Sequence, residues 1–384
     1  VRSTIGEGVV EIQEMAFMGT SELQYVTLPA SIRTIGTNAF YSSVLPAITL
    51  PEGLQTIGDG AFMLASLSSI HIPASVETIG KWAFSSCSYC ERITVADGNE
   101  HFSVQDGVLF NKAKTTLIQY PCADERTSYT VPSGVTALGS SCFSSSGNLT
   151  SITLPVSIRT IGSSAFSYTK LTDLEIPEGV TEIGGSAFSH MVSLTAITVA
   201  DGNEHFSAQD GVLFNAAKTV LIAYPCGNSR TAYTVPDTVQ IIGGGAFRGV
   251  AQLQTVTLPE GLTEIQSAAF YASSLTTLSL PASVSVIAPD ALRPMNQLTA
   301  ITGADGNENF SAQDGTLFDK DKTTLIAYPT AKTGTTYTVP TGVTILAQGA
   351  FYGCQLSEVT LPNGLETIGN NAFHAAEKLT RITF

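Results

Sequence analysis

ITLPEGLQTIGDGAF (48–62), ITLPVSIRTIGSSAF (152–166) and LEIPEGVTEIGGSAF (174–188) follow one pattern, and that pattern decides the fold. Its period is 22 or 23 residues. A longer period lies over it. VADGNEHFSVQDGVLF begins at Val95, VADGNEHFSAQDGVLF at Val199 and GADGNENFSAQDGTLF at Gly303, each 104 residues after the last. Self-similarity at about 20–50 residues marks a solenoid. Residues that recur in every coil are there to stack coils, so function is sought in what the repeat leaves unexplained.

One coil reads L-x-x-I-x-L-P-x-(S/G)-V-x-x-I-G-x-x-A-F. The alternation in I-x-L is that of a short strand with Ile and Leu inward. Proline ends the strand because it has no amide for the ladder. V-x-x-I-G is expected to be extended or one short turn, its Gly (Gly36, Gly58, Gly80, Gly162, Gly184) held at positive φ. The A-F pair is expected to enter the core from a 3-10 or short helical turn. Of the 18 Phe, eleven fill the A-F slot, six recur in the long motif, and Phe384 sits in a strand slot. The stacking of coils therefore accounts for the whole set.

This consensus resembles the BspA-like leucine-rich-repeat family, in which L-x-x-I-x-L-P and I-G-x-x-A-F-x-x-C recur, and the resemblance covers essentially the whole chain. It implies a leucine-rich-repeat solenoid of the α/β class, β-rich. The expected architecture is a right-handed stack of coils, with strands on one face and 3-10 or short helical turns on the other. Residues 1–384 read as a single solenoid. The family also implies an extracellular or cell-surface location and a binding or adhesion role toward host or matrix proteins.

The long motif is a segment inserted at about 96–131, 200–235 and 304–339. Asp-Gly at 97–98 and 106–107 are turn dipeptides. G-V-L-F and T-T-L-I-Q-Y-P read as two strands of a β-hairpin. Asp97, Asn99 and Asp106 offer oxygens to a hard cation such as calcium, as do Asp201, Asn203, Asp210 and Asp305, Asn307, Asp314. Their spacing matches no calcium loop, and Asx-turns explain the same residues.

The chain has 384 residues and a net charge of −14. Such a balance repels phosphate backbones and argues against nucleic-acid binding. Only 13% of residues are charged, so Ser, Thr, Asn, Gln and Gly must dress the surface. No apolar run reaches the roughly 18 residues that a membrane span needs. Both termini fall inside repeats without a polar cap. The expectation is a piece of a longer secreted chain, whose signal peptide and anchor lie outside it.

Among six Cys, five fit the repeat: Cys87 and Cys354 after A-F, Cys122 and Cys226 in the insert, and Cys142 in the Ala slot. Cys90 is extra, and a local Cys87–Cys90 disulfide is left open. No nucleophile–base pair, phosphate loop or zinc motif stands out, so no enzyme activity, metal or cofactor is expected. The outward residue of each I-x-L strand forms a column of fifteen, twelve of them Thr, including Thr153 and Thr198. The exceptions, His71, Glu175 and Ser279, lie 104 residues apart. That one variable position per block is the first candidate for ligand contact. Exposed Tyr after A-F, notably Tyr168 and Tyr271, are candidates for sugar contact. The leading expectation is a monomeric, non-enzymatic adhesion module for a protein ligand. A carbohydrate-binding module and an architectural spacer are the alternatives.

Overall fold

The computed structural model describes residues 2–303 and 306–384, which divide into two compact units. The first runs to Ser193 and takes Val199–Glu204; the second takes Leu194–Thr198 and His205–Phe384. No helix is present among the described residues.

In the first unit each coil contributes to three hydrogen-bonded lines. The front line is the I-x-L strand. Arg2–Thr4 pairs in parallel with Tyr25–Thr27, Ser69–Ile72 with Arg92–Val95, and Ser128–Thr130 with Ser151–Thr153. The front is thus a series of strand pairs and not one unbroken ladder; Ile48–Leu50 takes no strand. The second line is the T-I of V-x-x-I-G, a two-residue strand. Glu11–Ile12, Thr34–Ile35, Thr56–Ile57 and Thr78–Ile79 form a parallel sheet with like residues in register.

The third line replaces the expected helical turn. The A-F segment is an arch of successive turns in which residues two before and two after each Phe are left-handed. Asn38 and Ser42 flank Phe40 at φ 53° and 53°, and Ser164 and Tyr168 flank Phe166 at 55° and 62°. Alternate amides then diverge. Those of Ala39, Tyr41 and Ser43 close turns on Gly36, Asn38 and Phe40 within the coil. Those of Asn38, Phe40 and Ser42 donate to Asp59, Ala61 and Met63 of the next coil. A helix would spend every amide internally; this arch spends half of them between coils.

The I-G glycines have another cause than the one expected. None of Gly36, Gly58, Gly80, Gly162 and Gly184 has positive φ. A Cβ on Gly58 would stand 2.7 Å from the Gly36 carbonyl carbon, and one on Gly162 2.6 Å from the Ser140 nitrogen. Glycine is required because the backbone of the preceding coil passes where a side chain would start.

The core lies between these lines. Phe17, Phe40, Phe62 and Phe84 stack with centroids 5.1, 5.3 and 5.7 Å apart and planes within 9°. This spacing follows from strands about 4.8 Å apart. Each buried ring contributes about 1.5–3 kcal/mol.

The insert of the first unit is a three-stranded antiparallel meander: Phe102–Gln105, Val108–Asn111 and Thr116–Gln119. Asp106 and Gly107, at φ 51° and 79°, make the two-residue turn that suits right-twisted strands. The last strand also pairs in parallel with Ala137–Leu138, so it is a rung of the second line. Tyr120 takes the Phe slot: its amide donates to Cys142 and its ring lies 5.3 Å from Phe143.

The second unit repeats these parts. Its front pairs are Ala232–Thr234 with Thr255–Thr257 and Thr277–Leu280 with Ala300–Gly303, followed by a triplet ending at Arg381–Thr383. Its meanders are Phe206–Gln209 with Val212–Asn215 and Val220–Ala223, and Phe310–Gln313 with Thr316–Asp319 and Thr324–Ala327. In coil 282–297 the arch departs from the pattern. Leu292 takes the Phe slot, neither flanking residue is left-handed, and the Ala272 amide reaches Pro294.

Candidate functional site

The front column is the most regular feature open to a partner. Strand alternation turns Ile70 and Ile72 inward and leaves His71 exposed between them. The same holds for Thr153, Glu175, Thr198 and Ser279, all exposed. Register places like hydroxyls side by side: Thr130 against Thr153, Thr234 against Thr257, and Ser279 against Thr302. Some bond to each other. His71 Nδ1 is 2.9 Å from Thr94 Oγ1, and Thr383 Oγ1 donates to Thr360 Oγ1 at 3.0 Å. Within each unit the column is a polar surface, and at His71–Thr94 and Thr360–Thr383 neighbouring side chains restrain one another. Beside its first coils lies a hollow of about 390 Å³, where Arg2 covers the Tyr25 ring at 4.8 Å.

The tyrosines lie elsewhere. Tyr168 sits on the arch, exposed, stacked at 4.4 Å on His190. Tyr271 lies half-buried under the Arg248 guanidinium, 4.4 Å from its ring. Strand column and arch rings occupy different lines of the coil, so these candidates do not converge on one site.

Of the oxygen-rich insert residues, the asparagines have structural employment. Asn99 is buried; its Nδ2 donates to Pro73 and Val76 carbonyls at 2.8 and 3.0 Å. Its Oδ1 accepts from the His101 and Phe102 amides at 2.8 and 2.7 Å. Asn307 makes the same four bonds. Asp106 is left-handed in its turn with its side chain exposed, Asp97 is also exposed, and Asp305 lies outside the described residues. Among the described residues no three His, Cys, Asp or Glu are grouped to hold a metal.

Above the insert, Tyr120, Asp124, Arg126 and Tyr129 form a clasp. Arg126 Nε donates to Asp124 Oδ1 at 2.7 Å and Nη2 to Oδ2 at 2.5 Å, and the guanidinium caps both rings at 5.2 and 5.3 Å. Burial opposes the Asp124 carboxylate, but hydrogen bonds from Arg126 and Tyr120 outweigh it and hold the pKa below the ordinary value. Burial likewise raises Tyr129 to about 12. In the last insert Lys332 covers Tyr328 and Tyr337, each at 5.5 Å. A cation thus occupies one place although its sequence position differs.

All six cysteines are free and buried, Cys87 and Cys90 included. Burial raises the pKa of Cys87, and brings Cys90 and Cys122 to about 12. Such thiols are poor nucleophiles at neutral pH. Among the described residues no helix is long and apolar enough to cross a membrane.

The model of the BspA type leucine rich repeat region matches in six copies, over residues 10–123, 122–210, 223–324 and 326–384. Among solved structures, a leucine-rich repeat protein from Eubacterium ventriosum is 26% identical, with 78% of this chain and 83% of that chain covered and a TM-score of 0.53. A leucine rich cell surface protein from Faecalibacterium prausnitzii is 24% identical, with 100% and 87% covered and a TM-score of 0.43. Among curated proteins none matches.

Proposed function

The chain belongs to the BspA-type leucine-rich-repeat family, and from that premise we propose that it is a non-enzymatic, cell-surface binding module for protein ligands. The observation that carries the reading is the exposed front column, with its hydroxyls in register and one variable position per block. Within each unit, strands held in register lose little ordering entropy on binding. His71 and Glu175 bring an imidazole and a carboxylate, and Ser279 a smaller hydroxyl, into a background of Thr, which is where discrimination among partners would reside. Nothing in the surroundings of the buried thiols or the clasp activates a nucleophile, which supports binding over catalysis.

The test is surface plasmon resonance against immobilised collagen, laminin and fibronectin. With the variant His71→Thr/Glu175→Thr/Ser279→Thr, whose column is uniform, affinity for any bound matrix protein is expected to fall about tenfold, the effect of one lost polar contact. Unchanged affinity would move the contact off the front column. Location is tested by antibody labelling of intact cells.

A further inference from the structure

At the first insert the stack of arches is interrupted. From Leu138 to Phe143 an ordinary coil takes five steps; from Leu117 to Tyr120 the insert takes three. The two missing residues are those that would carry the left-handed turn before the ring. A cleft of about 330 Å³ remains, between the arch of Lys81–Phe84, the strand Thr116–Gln119 and the start of the next arch at Gly139–Ser140. Two residues beyond each ring the arches meet again, where Ser145 Oγ donates to Ser86 Oγ at 2.9 Å.

Three residues lining this cleft depart from the 104-residue repeat. Trp82, the sole Trp of the chain, stands where the other blocks have Ser186 and Asp290. It is 38% exposed and left-handed at φ 59°, a conformation that bulky residues avoid. Gln119 is buried where the others have Ala223 and Ala327; its Nε2 donates to the Tyr120 carbonyl at 2.8 Å, which leaves Oε1 as an acceptor. Ala137 lines the cleft where the other blocks have Ile241 and Ile345, whose side chains are larger by three carbons. In the last block the cavity lined by Ala288, Leu292, Ala327 and Gly349 holds only about 20 Å³. There Arg293 lines the cavity and reaches across to the Gln348 carbonyl over Gly349.

The cleft also faces backbone donors. In the preceding coil the Gly60 and Phe62 amides donate to Lys81 and Ala83. The corresponding Trp82 and Phe84 amides face the missing arch and make no such bond among the described residues. An apolar ring, two backbone donors, an amide acceptor and the hydroxyls of Thr116 and Ser140 suit a ligand with C–H faces and a rim of hydroxyls. Lys81 is the one charged residue of the lining, and no general base or nucleophile accompanies it.

We propose that this junction is a saccharide-binding site, with the Trp82 indole as platform and Gln119 and the free amides as hydroxyl partners. It stands apart from the front column and does not rest on the protein-ligand reading. Because Trp82 is the sole Trp, intrinsic emission reports on this cleft. The full chain is titrated with glucose, galactose, N-acetylglucosamine and their β-linked disaccharides at millimolar concentration. A saturable emission shift with at least one sugar is expected. Ala137→Ile and Gln119→Ala, which install residues already present in the other blocks, should each weaken it about tenfold or more in a chain that still unfolds cooperatively above the titration temperature. Trp82→Ala, followed by saturation-transfer NMR, should abolish the transfer. His71→Thr should leave sugar binding intact. No emission shift with any of these sugars, or undiminished binding by both Ala137→Ile and Gln119→Ala, overturns the assignment.

Discussion

Replacing Asn99 by Ala should be among the most damaging polar substitutions in the first unit. The side chain is 1% exposed and makes four hydrogen bonds, all to backbone. Two tie the insert to carbonyls of the preceding coil, and two order the entry into the Phe102–Gln105 strand. At about 1 kcal/mol each the bonds sum to about 4 kcal/mol, and the amides left buried without a partner cost the more. The expected loss is about 3–5 kcal/mol, measured by urea denaturation. Hydrogen exchange should localise it, with protection lost first at His101 and Phe102. Asn99→Asp keeps the acceptor but loses both donors, and sets a carboxylate against two carbonyl oxygens. Its pKa would be raised, so the damage should be greatest at neutral pH and ease as pH falls. A loss below about 1 kcal/mol for Asn99→Ala, or equal stability of Asn99→Asp at pH 4 and 7, would refute the clip.

Three further outcomes test other parts. Gly58→Ala should destabilise by more than about 2 kcal/mol, because its Cβ meets the Gly36 backbone, whereas Gly19→Asn should cost less than about 1 kcal/mol, since Asn tolerates the left-handed region and a Cβ there meets open space; thermal melts of the two decide. The Asp124 carboxyl, held below its ordinary pKa, adds stability that is present above the unfolded value near 4 and is lost as pH falls through the folded value. Asp124→Asn should remove that acid limb from a stability–pH curve and cost about 1–2 kcal/mol at neutral pH. A disulfide-exchange thiol reagent at pH 8 should label no cysteine in the native protein within minutes and all six after denaturation; rapid native labelling would contradict the burial.

The repeating positions were legible because periodicity reports burial directly. The inward Ile and Leu, the Phe column and the Asp-Gly turns all follow from spacing. The arch was not legible. A-F at the end of a coil is compatible with a helical turn, and alternating left-handed residues leave no signal when Ser, Asn, Met and even Trp occupy them. Glycine misled for a related reason: composition cannot separate a residue that needs positive φ from one that needs room for another backbone. The strand Phe102–Gln105 alternates apolar and polar side chains, a signal the turn dipeptides on either side obscured. The column at His71, Glu175 and Ser279 was visible by comparing blocks. Comparing the same blocks at Trp82, Gln119 and Ala137 would have marked the cleft, but its volume depends on two residues missing from an arch whose form only the structure reveals.

The alternation of amides along the arch sets a rule of parity for this chain's history. A single residue gained or lost there would exchange the inward and neighbour-facing sets, and every seam with the adjoining coil would fail at once. Two residues keep the sets in phase. The insert differs from an ordinary arch by two, and the Tyr120 amide still meets its neighbour at Cys142. Length can therefore drift in even steps or by whole coils, and the insert keeps its seam with the coil that follows while opening the one behind it at Trp82 and Phe84.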